Sequence, residues 1–333
     1  MKTLKYFTIL AVLGLTACTQ NEIGTSELNE VGFNAVVRKN TKAIISGTTF
    51  TENLKFKVWG FYTQKGDFSD VEATAAPNFM KGVEISYIEN EAKWRNATNH
   101  YYWPNQGKVG FYAFYPDTIV PAFAWNTGAT IADYAITSNT QETDLMYAYN
   151  VGPKQDALPM VFNHALSQIE FRYQTNATYS DVEVKINSIT FKGVDLRADF
   201  KFNASTDPVT VEWSNNTSQT SEYVYYDTLS DRAKETANGA TAAIYGAPLL
   251  FIPQTASTAD LVFTVSMHNT DDITYTTTIN LDPELNVANA TTGSWVLGKK
   301  YIYTLNFKLD EINFAPSIND WVEVQVSTID ITE

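Results

Sequence analysis

Few side chains in this sequence have types and spacing that could do chemistry. Cys18 is the only cysteine in 333 residues, so it can close no internal disulfide and build no cysteine-based metal site. Arg38, Lys39 and Lys42 stand among Asn40 and Thr41, a polar basic segment open to a basic-specific protease. The three histidines, His100, His164 and His268, lie far from one another and from acids at metal-ligand spacing. His164, within Phe162-Asn163-His164-Ala165-Leu166, has the setting of a structural histidine. No serine stands in a nucleophile elbow, and no glycine-rich phosphate loop occurs. Acids are plentiful, but no pattern makes two of them a glycosidase pair. Asp282 and Glu284 could hold calcium, although Asp-Pro-Glu in a loop is more often a turn. Trp103, Trp125 and Trp213 could stack on a sugar, with Trp103 better suited to a core. These residues lead us to expect no enzyme, no cofactor and no metal.

The N-terminus gives the lone thiol its context. Lys2 and Lys5 are followed by an apolar run over residues 6–15, too short for a bilayer crossing, which needs about 20 residues. The run ends in Leu15-Thr16-Ala17-Cys18, with small residues suited to signal-peptidase cleavage just ahead of the cysteine. This arrangement resembles the lipobox of bacterial lipoproteins, which implies acylation of Cys18 and anchoring by several acyl chains. A plain secretory signal that happens to contain a cysteine is the competing reading. On the lipoprotein reading, residues 1–17 are the signal peptide and 18–30 a polar tether.

Composition sets the class of the rest. Formal net charge is −14, and loss of Lys2 and Lys5 with the signal takes it to −16. So acidic a surface repels phosphate backbones and argues against nucleic acid as a partner. Aromatic residues reach 14% against only 18% charged, which favours strands over helices. About 315 mature residues exceed one ordinary sandwich and point to two domains.

The strands that must position the basic segment are legible by alternation. Val31, Phe33, Ala35 and Val37 fall on one side of an extended run, with Gly32, Asn34 and Val36 on the other. Arg38 follows directly. By itself this stretch also fits an ordinary first strand and a solvated turn. Residues 54–62 alternate as a core strand, 83–88 and 91–94 read as hairpin arms, and 109–116 is aromatic on both faces, as in a strand buried between layers. Further strands are expected over 182–191, 198–202, 261–267, 273–281 and 301–309, and residues 230–242 have slight helical character. After Trp321 the pattern VEVQVSTIDIT places Val322, Val324 and Val326 on one face and Ile329 and Ile331 on the other, with a bulge or bend at Ser327-Thr328. Two prolines and charge between residues 152 and 159 mark a boundary. The expected fold is all-β: two tandem antiparallel β-sandwich domains, 31–157 and 158–333.

Several segments, spread in order over nearly the whole chain, carry a family resemblance. They are Tyr102-Trp103-Pro104 with VGFYAFYP at 109–116, TDLMY at 143–147, VFNHALSQIEF at 161–171, GKKYIY at 298–303 and INDW at 318–321. Together they resemble the fimbrillin superfamily, subunits of type V pili of Gram-negative anaerobes, and within it the Mfa-like branch. The resemblance implies transthyretin-like sandwiches and export to the outer membrane as a lipoprotein. It also implies a basic-specific surface protease that removes the acylated first strand, and a vacated groove that takes the C-terminal strand of another subunit. Carried onto this chain, Arg38 is the cleavage residue, with Lys42 standing where family members often have arginine. Val322, Val324, Val326, Ile329 and Ile331, within residues 322–332, become the donor strand. Other fimbrial subunits, the outer membrane before processing, and a host or bacterial surface ligand are the implied partners, and the surface fimbrium the implied location. Two alternatives stay open: a non-polymerising pilus anchor that keeps its lipid and first strand, and a surface glycan-binding lipoprotein.

Overall fold

In the computed structural model the described residues are 29–38, 48–63, 76–124, 128–136, 143–175, 184–203, 209–218, 223–225, 243–255, 259–267, 273–279, 294–307 and 312–320. All named elements there are strands, apart from one 3-10 turn at Glu89–Glu91. The first ten strands are β1 (Gly32–Val37), β2 (Thr48–Thr49), β3 (Phe56–Thr63), β4 (Met80–Ile88), β5 (Lys93–Arg95), β6 (Lys108–Tyr115), β7 (Ala122–Ala124), β8 (Gly128–Ala135), β9 (Met146–Gly152) and β10 (Ala157–His164).

Eight of these form one sheet in the order β10-β9-β6-β3-β4-β5-β1-β2, and β1 also pairs with β10. Seven strands therefore close into a ring, with β1 as the strand that completes it. Closure lets one face of each strand line a dry interior. Val31, Phe33 and Ala35 of the β1 region point inward with Phe56 and Val58 of β3, Ile85 of β4, Val109, Phe111 and Ala113 of β6, and Met160 and Phe162 of β10. Between β3 and β4 the register slips at Val58/Trp59. Gly82 lies in that bulge at φ 67°, with the Trp59 indole against it: an added Cβ would sit 3.2 Å from the ring. The expected hairpin at 83–94 is present, turned by the Glu89–Glu91 3-10 turn and the left-handed Ala92.

The outer face of β3, β6 and β9 is buried as well. Trp59, Phe61, Tyr112, Phe114 and Tyr147 meet a second sheet, whose Ala129 and Ile131 come from β8. That sheet runs β14-β13-β8-β7, where β11 is Ser167–Thr175, β12 Val184–Lys192, β13 Asp195–Asn203 and β14 Thr210–Ser218. β13 reads DLRADFKFN and is buried at every second residue, so Leu196, Ala198, Phe200 and Phe202 face the first sheet's outer side. Both faces of β6 are thus apolar for the reason its sequence suggests: it lies between two cores.

The remaining strands are β15 (Tyr223–Tyr225), β16 (Ala243–Phe251), β17 (Gln254–Thr255), β18 (Ala259–Met267), β19 (Ile273–Ile279), β20 (Ser294–Trp295), β21 (Lys299–Phe307) and β22 (Ile312–Asp320). β17 and β20 pair with each other, and the rest join β11 and β12 in sheets β16-β11-β21-β22 and β15-β12-β18-β19. Those two sheets meet through Phe191 of β12, which packs on Phe171 of β11, Phe251 of β16 and Trp295.

The all-β class is as expected, but the division into halves is less clean than a tandem reading suggests. β10 begins at Ala157 and stays in the first sheet through β9 and β1, so that sheet runs past the expected boundary. β8, from the first half, pairs with β13, from the second. Both arise from pairings distant in sequence, which alternation alone does not encode. Residues 230–242, with their slight helical character, lie outside the described residues.

Candidate functional site

β1 owes its shape to the alternation of its own residues. On one side it runs parallel to β10, in a register from Gly32 opposite Ala157 to Val37 opposite Phe162. On the other it runs antiparallel to β5, through Phe33 opposite Trp94, and to β2, through Val36 opposite Thr49. Val31, Phe33 and Ala35 are 2%, 0% and 0% exposed, while Asn34 faces out. The Phe33 ring meets Phe111 edge-on with centroids 5.1 Å apart. Behind it Phe50 stacks among Phe56, Trp94, Tyr115 and Phe162. Gly32 is pinched: an added Cβ would lie 3.1 Å from the Asp156 carbonyl oxygen and 3.2 Å from Lys93 Cδ.

Both ends of β1 are held by backbone bonds. At the start, the Val31 amide donates to the Tyr101 carbonyl at 2.7 Å, and the Trp103 amide donates to the Asn29 carbonyl at 3.0 Å. Asn29 and Glu30, assigned to the tether by sequence, are tied to residues 101–103 by an isolated antiparallel bridge, Glu30 opposite Tyr102, just ahead of β1. At the far end the Arg38 amide donates to the Phe162 carbonyl at 2.8 Å. Arg38 itself is exposed where the parallel ladder stops.

A charged cluster caps the entrance. Glu30 Oε1 lies 2.8 Å from His100 Nδ1, and Glu30 Oε2 lies 3.6 Å from Arg95 Nε. Arg95 donates from Nε to Glu91 Oε2 at 2.9 Å, from Nη2 to Glu91 Oε1, and from Nη1 to the Asn96 carbonyl at 2.8 Å. The hydrogen bonds from Arg95 hold the Glu91 carboxyl far below its ordinary range, at about 2. Sequence reasoning missed this cluster, because Glu30 and His100 stand 70 residues apart. The only hint is an acid placed directly before an apolar alternating run.

The other expected site residues divide into those placed and those beyond the described residues. His164 pairs with Asp144, in keeping with a structural histidine. Trp103 is 5% exposed and packs edge-on against Phe111, a core role. Trp213 is half-buried against Phe200 and Tyr134, and its indole N–H donates to the Ala165 carbonyl at 2.8 Å, which spends its polar edge inside the fold. Among the described residues no group of three or more His, Cys, Asp or Glu could hold a metal. Cys18, Lys42, Trp125, His268, Asp282 and Glu284, and the donor candidates Val322, Val324, Val326, Ile329 and Ile331, lie outside the described residues.

Comparison with known proteins follows the same lines. No curated protein matches the chain in sequence. Among solved structures, a fimbrial protein from Bacteroides vulgatus ATCC 8482 superposes with a TM-score of 0.60 at 18% identity, covering 88% of this chain and 100% of that one. A protein assigned to cell adhesion from Bacteroides uniformis ATCC 8492 gives 0.55 at 16% identity, again covering 88% of this chain and 100% of that one. At these identities the likeness establishes the fold. The sequence model of the fimbrillin-like family matches residues 41–321, most of the chain. The chain belongs to the fimbrillin-like family, which makes it a pilus-related protein of the cell surface.

Proposed function

We propose that this chain is a stalk or tip subunit of a type V fimbria, exported as an outer-membrane lipoprotein and polymerised by replacement of its first strand. Acylation at Cys18 holds the precursor at the membrane. A basic-specific surface protease cuts after Arg38, or after Lys42, and β1 leaves. The segment bearing Val322, Val324, Val326, Ile329 and Ile331 of another subunit then enters the slot.

The observation that supports this reading best is the place of β1 as the closing strand of a ring. Its loss leaves β10 and β5 with unpaired N–H and C=O groups and opens the apolar channel that Val31, Phe33 and Ala35 fill. A strand inserted there restores the ladder and refills alternate pockets. Burial of side chains like these three contributes about 5 kcal/mol gross, before ordering costs reduce it. Arg38 stands exposed at the end of that strand, where a cut releases the strand without severing another element.

The test is processing itself. Protease treatment of the purified lipoprotein should give a new N-terminus at Lys39 or Ala43 and start polymerisation. An Arg38→Ala, Lys42→Ala double variant that still polymerises normally refutes the proposal. Cys18→Ser should abolish acyl labelling and leave the folded part intact.

A further inference from the structure

β10 forms one wall of the β1 slot, with few ladder bonds apart from those to β1. Its residues 157–162 lie opposite residues 32–37. On the other side, among the described residues, it pairs with β9 only where Asn163 faces Tyr147 and His164 faces Met146. Once β1 leaves, most of β10 has no ladder on either side, and a strand held so poorly frays or closes over the gap unless something else anchors it. The anchor lies just past its end. β10 runs into β11 through Ala165 and Leu166, which with Ser167 are 0% exposed. The Ala165 amide donates to the Leu145 carbonyl at 2.8 Å, and the Ala165 carbonyl accepts the Trp213 indole N–H at 2.8 Å. The Gly298 amide donates to the Leu166 carbonyl, and the Ser167 hydroxyl to the Val296 carbonyl, both at 2.9 Å. The His164 side chain pairs with Asp144. These partners come from the segment before β9, from β14 and from the turn before β21, and none from β1. One further tie reaches the middle of β10, where Asn150 Nδ2 of β9 donates to the Pro159 carbonyl at 2.7 Å. Leu145, the joint itself and Gly298 belong to TDLMY, VFNHALSQIEF and GKKYIY, segments for which strand removal alone has no use.

We infer that the Ala165–Leu166 joint is a clamp that holds β10 in place after β1 is gone, so that the slot persists as a preformed groove, and that Trp213 is its positioning residue. This rests on the strand-removal reading above and holds for any strand that enters next. Trp213 reaches the joint from a different sheet. Its N–H satisfies a carbonyl sealed from solvent, and a buried carbonyl left unpaired is costly. In the intact subunit β1 shares the task, since its ladder holds residues 157–162 independently. In the emptied subunit it falls to the joint, to Asn150 and to the inward packing of Leu158, Met160 and Phe162. A groove that keeps its shape spares an incoming strand the cost of ordering it.

The experiment uses the full chain with a site-specific protease sequence within residues 41–46, nicked after folding and freed of its N-terminal fragment by gel filtration in mild urea. Hydrogen exchange is followed by mass spectrometry in the intact and emptied forms, and entry of a fluorescent peptide of residues 29–38 by anisotropy. In the emptied wild type the Ala165 and Gly298 amides should stay protected while those of residues 157–162 exchange freely. Peptide entry should be a single phase whose rate rises linearly with peptide concentration. Trp213→Phe keeps an aromatic ring and deletes the donor. It should speed exchange at Ala165 about tenfold in the emptied form and by no more than about twofold in the intact form, and peptide entry should gain a slow phase independent of concentration. Asn150→Ala is the second arm and should bring in the same slow phase. An emptied wild type in which Ala165 exchanges freely, or in which peptide entry is slow and saturating, overturns the preformed groove and leaves strand removal standing. Equal effects of Trp213→Phe on the intact and emptied forms overturn Trp213 as a positioning residue. A nicked chain that never releases its fragment, or that unfolds on releasing it, overturns strand removal and this inference together.

Discussion

Phe33 of β1 and Phe111 of β6 meet edge-to-face across the inside of the first sheet's ring, with centroids 5.1 Å apart and planes at 87°. β1 and β6 are not neighbours in the sheet, so this contact spans the interior, and the strand proposed to leave supplies part of the central packing. Phe33→Ala removes a fully buried ring and leaves a cavity among Phe56 and Phe111. The expected loss is about 3–4 kcal/mol in unfolding free energy, read from urea midpoints of the intact chain. The same change should speed release of β1 once the chain is nicked, since less apolar contact holds it.

Arg38 makes a different kind of prediction. Its amide still bonds to the Phe162 carbonyl at 2.8 Å, so a protease must fray the last rung of the β1–β10 ladder before cutting. Pro at position 37 would remove a donor from β1 and cannot keep the strand's ladder. Val37→Pro should therefore raise the initial rate of cleavage after Arg38 several-fold, followed by mass spectrometry of the released fragment. Unchanged cleavage would mean that the rung does not limit access.

Glu170 is 4% exposed on β11 and bonded at 2.6 Å both to Arg172 Nε and to Lys300 Nζ of β21. The parallel pairing of Gln168 with Lys300 brings the acid and the lysine together. Lys300→Met removes one of two cations and leaves a buried carboxylate half-compensated. The cost should be about 2 kcal/mol, because the lysine side chain is partly solvated. Glu170→Gln with Lys300→Met should recover part of that loss, a non-additivity measurable by a double-mutant cycle.

The segments that carried the family resemblance turn out to be mutually packed. Trp103 lies against Phe111, Phe114 pairs with Tyr147, Glu170 with Lys300, and Tyr301 sits opposite Ile318. Their residue types were legible because each alternates between one dry face and another surface, and a period of two survives in the sequence whatever the topology. For the same reason the inward set Val31, Phe33 and Ala35 was readable in advance. What stayed hidden was partner choice. β1 and β10 are joined across some 120 residues in parallel, and no local pattern in 31–37 distinguishes β10 from any other apolar strand. The charged cluster at Glu30 was invisible on the same ground. Glu30, Arg95 and His100 come from the end of the expected tether, from β5 and from the loop before Tyr102.

Alkali provides a probe of the core that Tyr147, Tyr301 and Tyr303 share. Burial pushes the Tyr301 phenol up to about 12, against the opposing bond from the Val296 amide, and pushes Tyr147 up to about 12 with the Arg38 guanidinium opposing. Burial raises Tyr149 and Tyr303 further still. The unfolded chain ionises near 10, so the folded state holds these protons more tightly. Their contribution to stability is complete below pH 10 and is lost as pH rises from there towards 12. Tyr301 and Tyr147 should each cost on the order of 2 kcal/mol by pH 12. Urea midpoints taken at pH 8, 10, 11 and 11.5 should stay level to pH 10 and then fall steeply. Absorbance at 295 nm should rise in two stages, exposed tyrosines first and the buried ones together with unfolding. A single smooth rise near pH 10 with the fold intact would show that Tyr301 and Tyr303 reach water, and would contradict the packing of Trp295 Nε1 on the Tyr303 hydroxyl at 2.9 Å.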